Sequence, residues 1–482
     1  MHRLLPALLL GAAVSSWAAP GATLTPCRIS GVETEALCGS VKRPLDPAAP
    51  AGTSIDVHYA VLPALARNKH PDPVFFFAGG PGQSAIEVAG SVARLLARVS
   101  NRRDIVLVDQ RGTGRSAPLR CPSLAPTTPM RDSADSTHQE QRLAECREAL
   151  RKLPHGDLRH YTTTVAMADI DAVRKALGAE RINLVGASYG TRAALEYMRQ
   201  FPAQLRRVVM DGVAPPDMAL PAATSTDNQA ALDAALQACE ADAACRARYP
   251  QLRARWAAML KSLPRGVVLK HPVTGSNETV QITRDMVLGM VRQPLYVPAL
   301  AAALPMAVGE ATLGRFDALM ALGLSLVTGR HAPAAGMHMS VICAEDLPRL
   351  PFHSEAPGAD FGDSFSSFYQ RVCADWPRGA VPAAFYTVPP TTAATLVLSG
   401  GADPVTPARH GERVVRALGA KARHVVVAHA GHGVMGIGCM RDVMFRFIDA
   451  ASDEAAMTVD AGCAASIPRP PVFLLPQAAG TR

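Results

Sequence analysis

Residues 182–190 read Ile182-Asn183-Leu184-Val185-Gly186-Ala187-Ser188-Tyr189-Gly190. The opening run is short and apolar, as in a buried strand, and residues 190–201 read as a helix. A serine set between two glycines at a strand-to-helix junction is the context of a sharp, strained turn that lifts a hydroxyl above a sheet. Side chains at 186 and 190 would collide with adjacent backbone, which accounts for both glycines. The five-residue pattern is common by chance; its strand–turn–helix setting gives it weight. Ser188 is therefore the expected nucleophile. The N–H of Tyr189, at the helix start, is expected to face a developing oxyanion.

Working outward, residues 54–62 alternate as an early strand does, further short apolar runs stand at 74–78, 105–109, 207–211, 395–400 and 424–428, and a helical pattern stands at 164–177. Strand-length runs alternating with helices predict a parallel sheet covered on both faces. Just past the strand 395–400 comes Gly401-Ala402-Asp403-Pro404, and just past 424–428 comes Ala430-Gly431-His432-Gly433. Asp-Pro is a common turn dipeptide, and a histidine among glycines is an ordinary loop residue. Together, in the chain order Ser, Asp, His and at strand ends, they predict an orienting acid and a general base on an α/β-hydrolase fold. Asp211 and His429 rank below them. The loop Ala78-Gly79-Gly80-Pro81-Gly82 is expected to supply the second oxyanion donor, from Gly80 or alternatively Gly79.

The pattern changes after Pro215 and Pro216. Residues 225–263 are alanine-rich and helix-like, and more helix follows from about 283 to 325. The expected organisation is a leader at 1–18, a first core part at 19–215, a mainly helical cap insertion at 216–390, and a second core part at 391–482. The last helix is predicted at 439–450.

His2 and Arg3 precede the apolar run Leu4–Val14, which ends in small residues. That is the pattern of a secretory signal peptide, too short to span a bilayer, so an exported (periplasmic or secreted) protein without a membrane anchor is expected. The ten cysteines agree with an oxidising compartment, and near-neighbour pairing suggests 27–38, 121–146, 239–245, 343–373 and 439–463. No cysteine or histidine spacing suits zinc, and neither metal nor cofactor is expected. At 48% apolar and 19% charged residues the chain is not a disordered one. The net charge of +8 is spread along the chain, with no basic run to track a nucleic acid.

Gly79-Gly80-Pro81-Gly82, Asp109-Gln110-Arg111-Gly112-Thr113-Gly114-Arg115-Ser116 and the Ser188 pentapeptide together resemble the prolyl iminopeptidase group. The closer likeness is to its secreted tripeptidyl-aminopeptidase-like branch, through Cys38-Gly39, Pro44-Leu45-Asp46, Cys373-Ala374-Asp375-Trp376-Pro377 and residues 395–463. Ala78 departs from that group, which usually carries histidine there. The resemblance implies release of residues from the free amino end of small peptides. A carboxylate should then meet the substrate ammonium, and Glu345 is the candidate, with Asp346 beside it. Glu196 is expected to pair with Arg192 or Arg199, and Asp109 and Arg111 to brace the site. A non-peptide ester or amide substrate is the alternative, since the same triad serves both.

Overall fold

A computed structural model describes residues 23–134, 136–325 and 332–474. The leader at 1–18 lies outside the described residues. Eleven strands occur among the described residues: β1 Thr25–Cys27, β2 Ala36–Pro44, β3 Ser54–Leu62, β4 Val74–Phe77, β5 Ile105–Val108, β6 Ile182–Ala187, β7 Leu205–Asp211, β8 Arg265–Lys270, β9 Asn277–Ile282, β10 Ala394–Gly400 and β11 Ala422–Val427. Nine form one sheet in the order β1-β2-β3-β5-β4-β6-β7-β10-β11. The first three strands run antiparallel to their neighbours, and every pair from β5 to β11 is parallel.

The central strands β4 and β5 are apolar along their whole length because both faces are covered. Side chains alternate between the faces. Phe75, Phe77, Val106, Val108 and Leu184 join one buried cluster, while Val74, Phe76, Ile105, Leu107 and Val185 join the other. Each such side chain contributes roughly 1.5–3 kcal/mol when fully buried. Helices α1 (Thr163–Ala176) and α2 (Tyr189–Gln200) cover the first face.

The chain leaves the sheet after Asp211 and re-enters it at Ala394. Between them lie α3 (Leu220–Ala241), α4 (Arg284–Leu295), α5 (Ala335–Val341) and α6 (Ser364–Ala374). Much of this insertion has its own core around Trp256, Leu232 and Phe316. It also holds the antiparallel hairpin β8–β9, which helical periodicity did not predict. Helix α7 (Ala408–Leu418) then packs on the α1–α2 face, and α8 (Met440–Asp449), close to its predicted span, packs on the opposite one.

The structure forms all five expected disulfides, 27–38, 121–146, 239–245, 343–373 and 439–463. Among the described residues no helix is long and apolar enough to cross a membrane.

Candidate active site

Ser188 sits between β6 and α2 with φ 55° and ψ −123°, a conformation that L-residues rarely adopt. The turn is held by three hydrogen bonds: Ser188 N–H to Asp211 O at 2.8 Å, Thr191 N–H to Ser188 O at 2.8 Å, and Thr191 Oγ1–H to the same oxygen at 2.6 Å. The two glycines are required by contact. A Cβ on Gly186 would stand 2.5 Å from Gly190 O, and one on Gly190 would stand 2.1 Å from Phe77 O on β4. The side-chain hydroxyl of Ser188 opens into a cavity of about 420 Å3 between the sheet's carboxyl edge and the insertion.

His432 lines the same cavity. Its Nδ1 lies 2.9 Å from Asp403 Oδ2. A carboxylate there accepts, so Nδ1 carries the proton and Nε2 is left with its lone pair. Asp403 is buried, yet its carboxylate is well solvated by protein: Oδ1 accepts from Val405 N and Thr406 N, and Oδ2 from Thr406 Oγ1, each at 2.9 Å. Burial pushes the Asp403 carboxyl up, but the His432 imidazole and these N–H groups outweigh it and hold it below the ordinary aspartate value. Burial likewise pushes His432 down, and Asp403, by charge and hydrogen bond, raises it above the ordinary histidine value. The residue is further seated by His432 N–H to Tyr296 O at 2.9 Å and by T-shaped packing with the Tyr296 ring, centroids 5.2 Å apart.

Asp211, the lesser candidate acid, has a different task. Its oxygens accept from Val434 N at 3.0 and 2.8 Å and from Met435 N at 2.8 Å, fastening the loop that carries His432. Burial raises its carboxyl to about 6. His429 is exposed and away from the cavity.

Gly79 and Gly80 line the same cavity, and a Cβ on Gly79 would stand 3.3 Å from the Ser188 Cβ. The Gly79 N–H is engaged by Gln83 Oε1 at 3.2 Å, whereas Gly80 N–H has no acceptor among the described residues. Tyr189 is the first residue of α2, so its N–H has no partner within the helix. Gly80 and Tyr189 are thus the two donors with capacity to spare. The glycine loop is gripped from the insertion: Ala334 N–H donates to Gly82 O at 2.8 Å, and His338 Nδ1 lies 3.3 Å from Pro81 O. A carbonyl only accepts, so His338 donates from Nδ1, and its Nε2 faces Tyr369 OH at 2.8 Å. Burial holds His338 below the ordinary histidine value, so the ring is neutral and Nε2 accepts.

Glu345 does not reach the cavity. It is fully buried, in a π-helical turn Ile342–Asp346, and its oxygens accept from Thr163 N at 2.6 Å and Thr163 Oγ1 at 2.9 Å. Thr163 Oγ1 also meets Tyr189 OH at 2.6 Å, so Glu345 braces the wall from behind. Burial drives its carboxyl up to about 7, against the opposing pull of Arg192. The expectation that Glu345 meets a substrate ammonium is corrected accordingly. Asp346 is also buried and forms a two-point pair with Arg192 at 2.8 and 2.9 Å. Glu196 pairs with Arg199, at 2.7 Å twice, and not with Arg192. Asp109 braces Ser84 Oγ, Ile86 N and Arg115 N, and Arg111 clasps Asp169 together with three backbone carbonyls, those of Pro44, Leu45 and His160.

Thr406, Tyr296, His338 and Arg292 line the cavity and escaped sequence reasoning, as did the place of Arg192 on its wall. Only Thr406 had a local signal, three residues after Asp403, where a hydroxyl reaches back to a carboxylate. Among the described residues no cluster of three or more His, Cys, Asp or Glu could hold a metal ion.

A serine at a strained strand–helix turn, beside a histidine–aspartate pair at the carboxyl edge of a parallel sheet, defines an α/β-hydrolase. Residues 72–258 match the family model described as alpha/beta hydrolase fold, and residues 358–459 match that of TAP-like protein. The chain has the α/β-hydrolase fold, and its carboxyl-terminal region is similar to the TAP-like proteins. It is 28% identical to serine protease Hip1 of Mycobacterium tuberculosis over 426 residues, 80% of this chain and 81% of that one. It is 32% identical to tripeptidyl aminopeptidase of Streptomyces lividans over 190 residues, 37% of this chain and 35% of that one. It is 28% identical to carboxylesterase B of Mycobacterium tuberculosis over 442 residues, 83% of this chain and 82% of that one.

Proposed function

We propose that this chain is an exported serine peptidase that releases residues from the amino end of short peptides through an acyl-enzyme. The observation that carries the reading is the 2.9 Å His432–Asp403 pair on the wall of the cavity into which Ser188 opens. Ser188 Oγ attacks the scissile carbonyl as His432 Nε2 takes its proton, and Asp403 stabilises the imidazolium formed. The N–H groups of Gly80 and Tyr189 receive the oxyanion. His432 then returns the proton to the leaving amine, and a water repeats the sequence to free the acyl group.

The cavity volume of about 420 Å3 suits a ligand of a few residues, and the insertion that roofs it would exclude folded chains. Peptide substrates are supported by the names of the two peptidase relatives. Export is supported by the leader pattern at 1–18 and by five disulfides, which persist in oxidising compartments.

A specific observation favours a second reading, an esterase or amide hydrolase with a non-peptide substrate. Asp211 is the one carboxylate on the cavity wall among the described residues, and its oxygens are taken by Val434 and Met435. A panel of aminoacyl and tripeptidyl nitroanilides, each free and N-acetylated, separates the two. Cleavage lost on acetylation is the result expected of an amino-end peptidase. Equal cleavage of both forms, or turnover of short-chain esters alone, transfers the assignment to the second reading. Covalent capture of Ser188 by a fluorophosphonate tests the nucleophile in either case, and a folded protein that forms no adduct there removes both.

A further inference from the structure

Charge on the cavity wall is unevenly compensated. Arg192 is neutralised by its two-point pair with Asp346, and Asp211 by backbone N–H groups. Arg292, in the last turn of α4, is half-buried on the same wall and makes no ion pair and no hydrogen bond among the described residues. Its guanidinium lies over the Phe365 ring, 5.1 Å from the centroid. Stacking of that kind uses the face of the guanidinium and leaves its in-plane N–H edge available. Tyr296, four residues on, makes a T-shaped contact with the His432 ring, so Arg292 lines the cavity of Ser188 and His432 from the same stretch of the insertion. Its positive charge acts on Tyr296, His338 and Tyr369, all of which line the cavity.

A guanidinium withdrawn from water without a counter-charge is costly, and a planar anion restores the balance through two parallel N–H···O bonds. We propose that Arg292 is a specificity-determining residue that binds a carboxylate of the substrate, so that the preferred substrates are anionic. The inference rests on the serine hydrolase reading of the same cavity. The carboxylate has two possible sources, the acyl part of the substrate or the free carboxyl end of a short peptide, and both present the same planar anion.

Matched pairs decide it. Glutamyl against glutaminyl nitroanilide, and p-nitrophenyl hemisuccinate against p-nitrophenyl butyrate, test the acyl side. Trialanine against its carboxyl-terminal amide tests the leaving side. In at least one pair the charged member is expected to have a kcat/KM about tenfold or more above the neutral one. Arg292→Met should bring that ratio towards one, and Arg292→Lys, which keeps the charge without the fork, should fall between. Ratios near one in every wild-type pair, or an Arg292→Met variant that lowers both members equally, overturn the proposal.

Fluorophosphonate capture of Ser188 is run alongside. Capture without charge discrimination removes the Arg292 assignment alone, while absence of capture removes the hydrolase reading. A readout independent of turnover is calorimetric titration of folded wild type and Arg292→Met with glutarate. Binding to wild type that the variant loses is expected, and equal binding to both, or to neither, overturns the assignment.

Discussion

Gly190→Ala tests the geometric logic of the site most directly, because it leaves every reacting group in place. The added Cβ would lie 2.1 Å from Phe77 O, 2.7 Å from Phe77 C and 2.9 Å from Ala78 O. All three are backbone atoms, and none can swing aside as a side chain would. Restoring an ordinary carbon–oxygen contact requires α2 and β4 to part by about 1 Å, and a misplacement of that size costs about 10²-fold in rate. The two elements that must part carry the two proposed oxyanion donors, Tyr189 at the head of α2 and Gly80 just beyond β4. Overpacking of this kind also destabilises by roughly 1–3 kcal/mol. The expected result is a folded protein of lower melting temperature, with kcat on a p-nitrophenyl ester down about 10²-fold and slower fluorophosphonate capture. Gly289→Ala is the control: it lies in α4 with nothing within 4 Å of its would-be Cβ, and should leave kcat alone. In a helix interior it should add up to about 1 kcal/mol of stability. A folded Gly190→Ala protein with wild-type kcat/KM would refute the claim that contact between α2 and β4 sets the donor positions.

Ser188→Ala should lower kcat on the order of 10⁶-fold, and substantial residual turnover with purified variant would mean that another nucleophile acts. Asp403→Asn should cost about 10⁴-fold. Because His432 must be neutral to accept a proton and Asp403 raises it, the wild-type acid limb of kcat/KM should lie above the ordinary histidine value of 6.5, and Asp403→Asn should move it to lower pH. An acid limb that does not move separates His432 from that titration. Glu345 is raised from 4.5 to about 7 in the folded protein, so the folded state holds a proton that the unfolded state has released. Stability should therefore fall as pH rises from about 4.5 through about 7, by on the order of 3 kcal/mol. Glu345→Gln should flatten that dependence in denaturant titrations, and an unchanged slope would place the titration elsewhere.

Periodicity and local chemistry were enough to locate β3 by its alternation, and β4 to β7, β10 and β11 by their short apolar runs. They were not enough for β2 or for the hairpin β8–β9. Both have exposed positions and mixed polarity, with only Ala36 buried in β2 and only Leu269 in β8, so no continuous apolar run announces them. The five disulfides followed from nearness along the chain because each closes a loop between neighbouring elements.

Ser188, Asp403 and His432 could be proposed as nucleophile, acid and base from the chain alone, since each falls at the end of a strand, and strand ends are marked by local composition. Which side chains line the cavity was settled by packing. Glu345 turned away because a π-helical turn directs it to Thr163, a partner 182 positions distant. Arg292 and Tyr296 came to the cavity because the end of α4 packs on the loop that carries His432, not by any signal of its own. A residue type is written in the chain, whereas its neighbours and its exposure to water are properties of the packed whole.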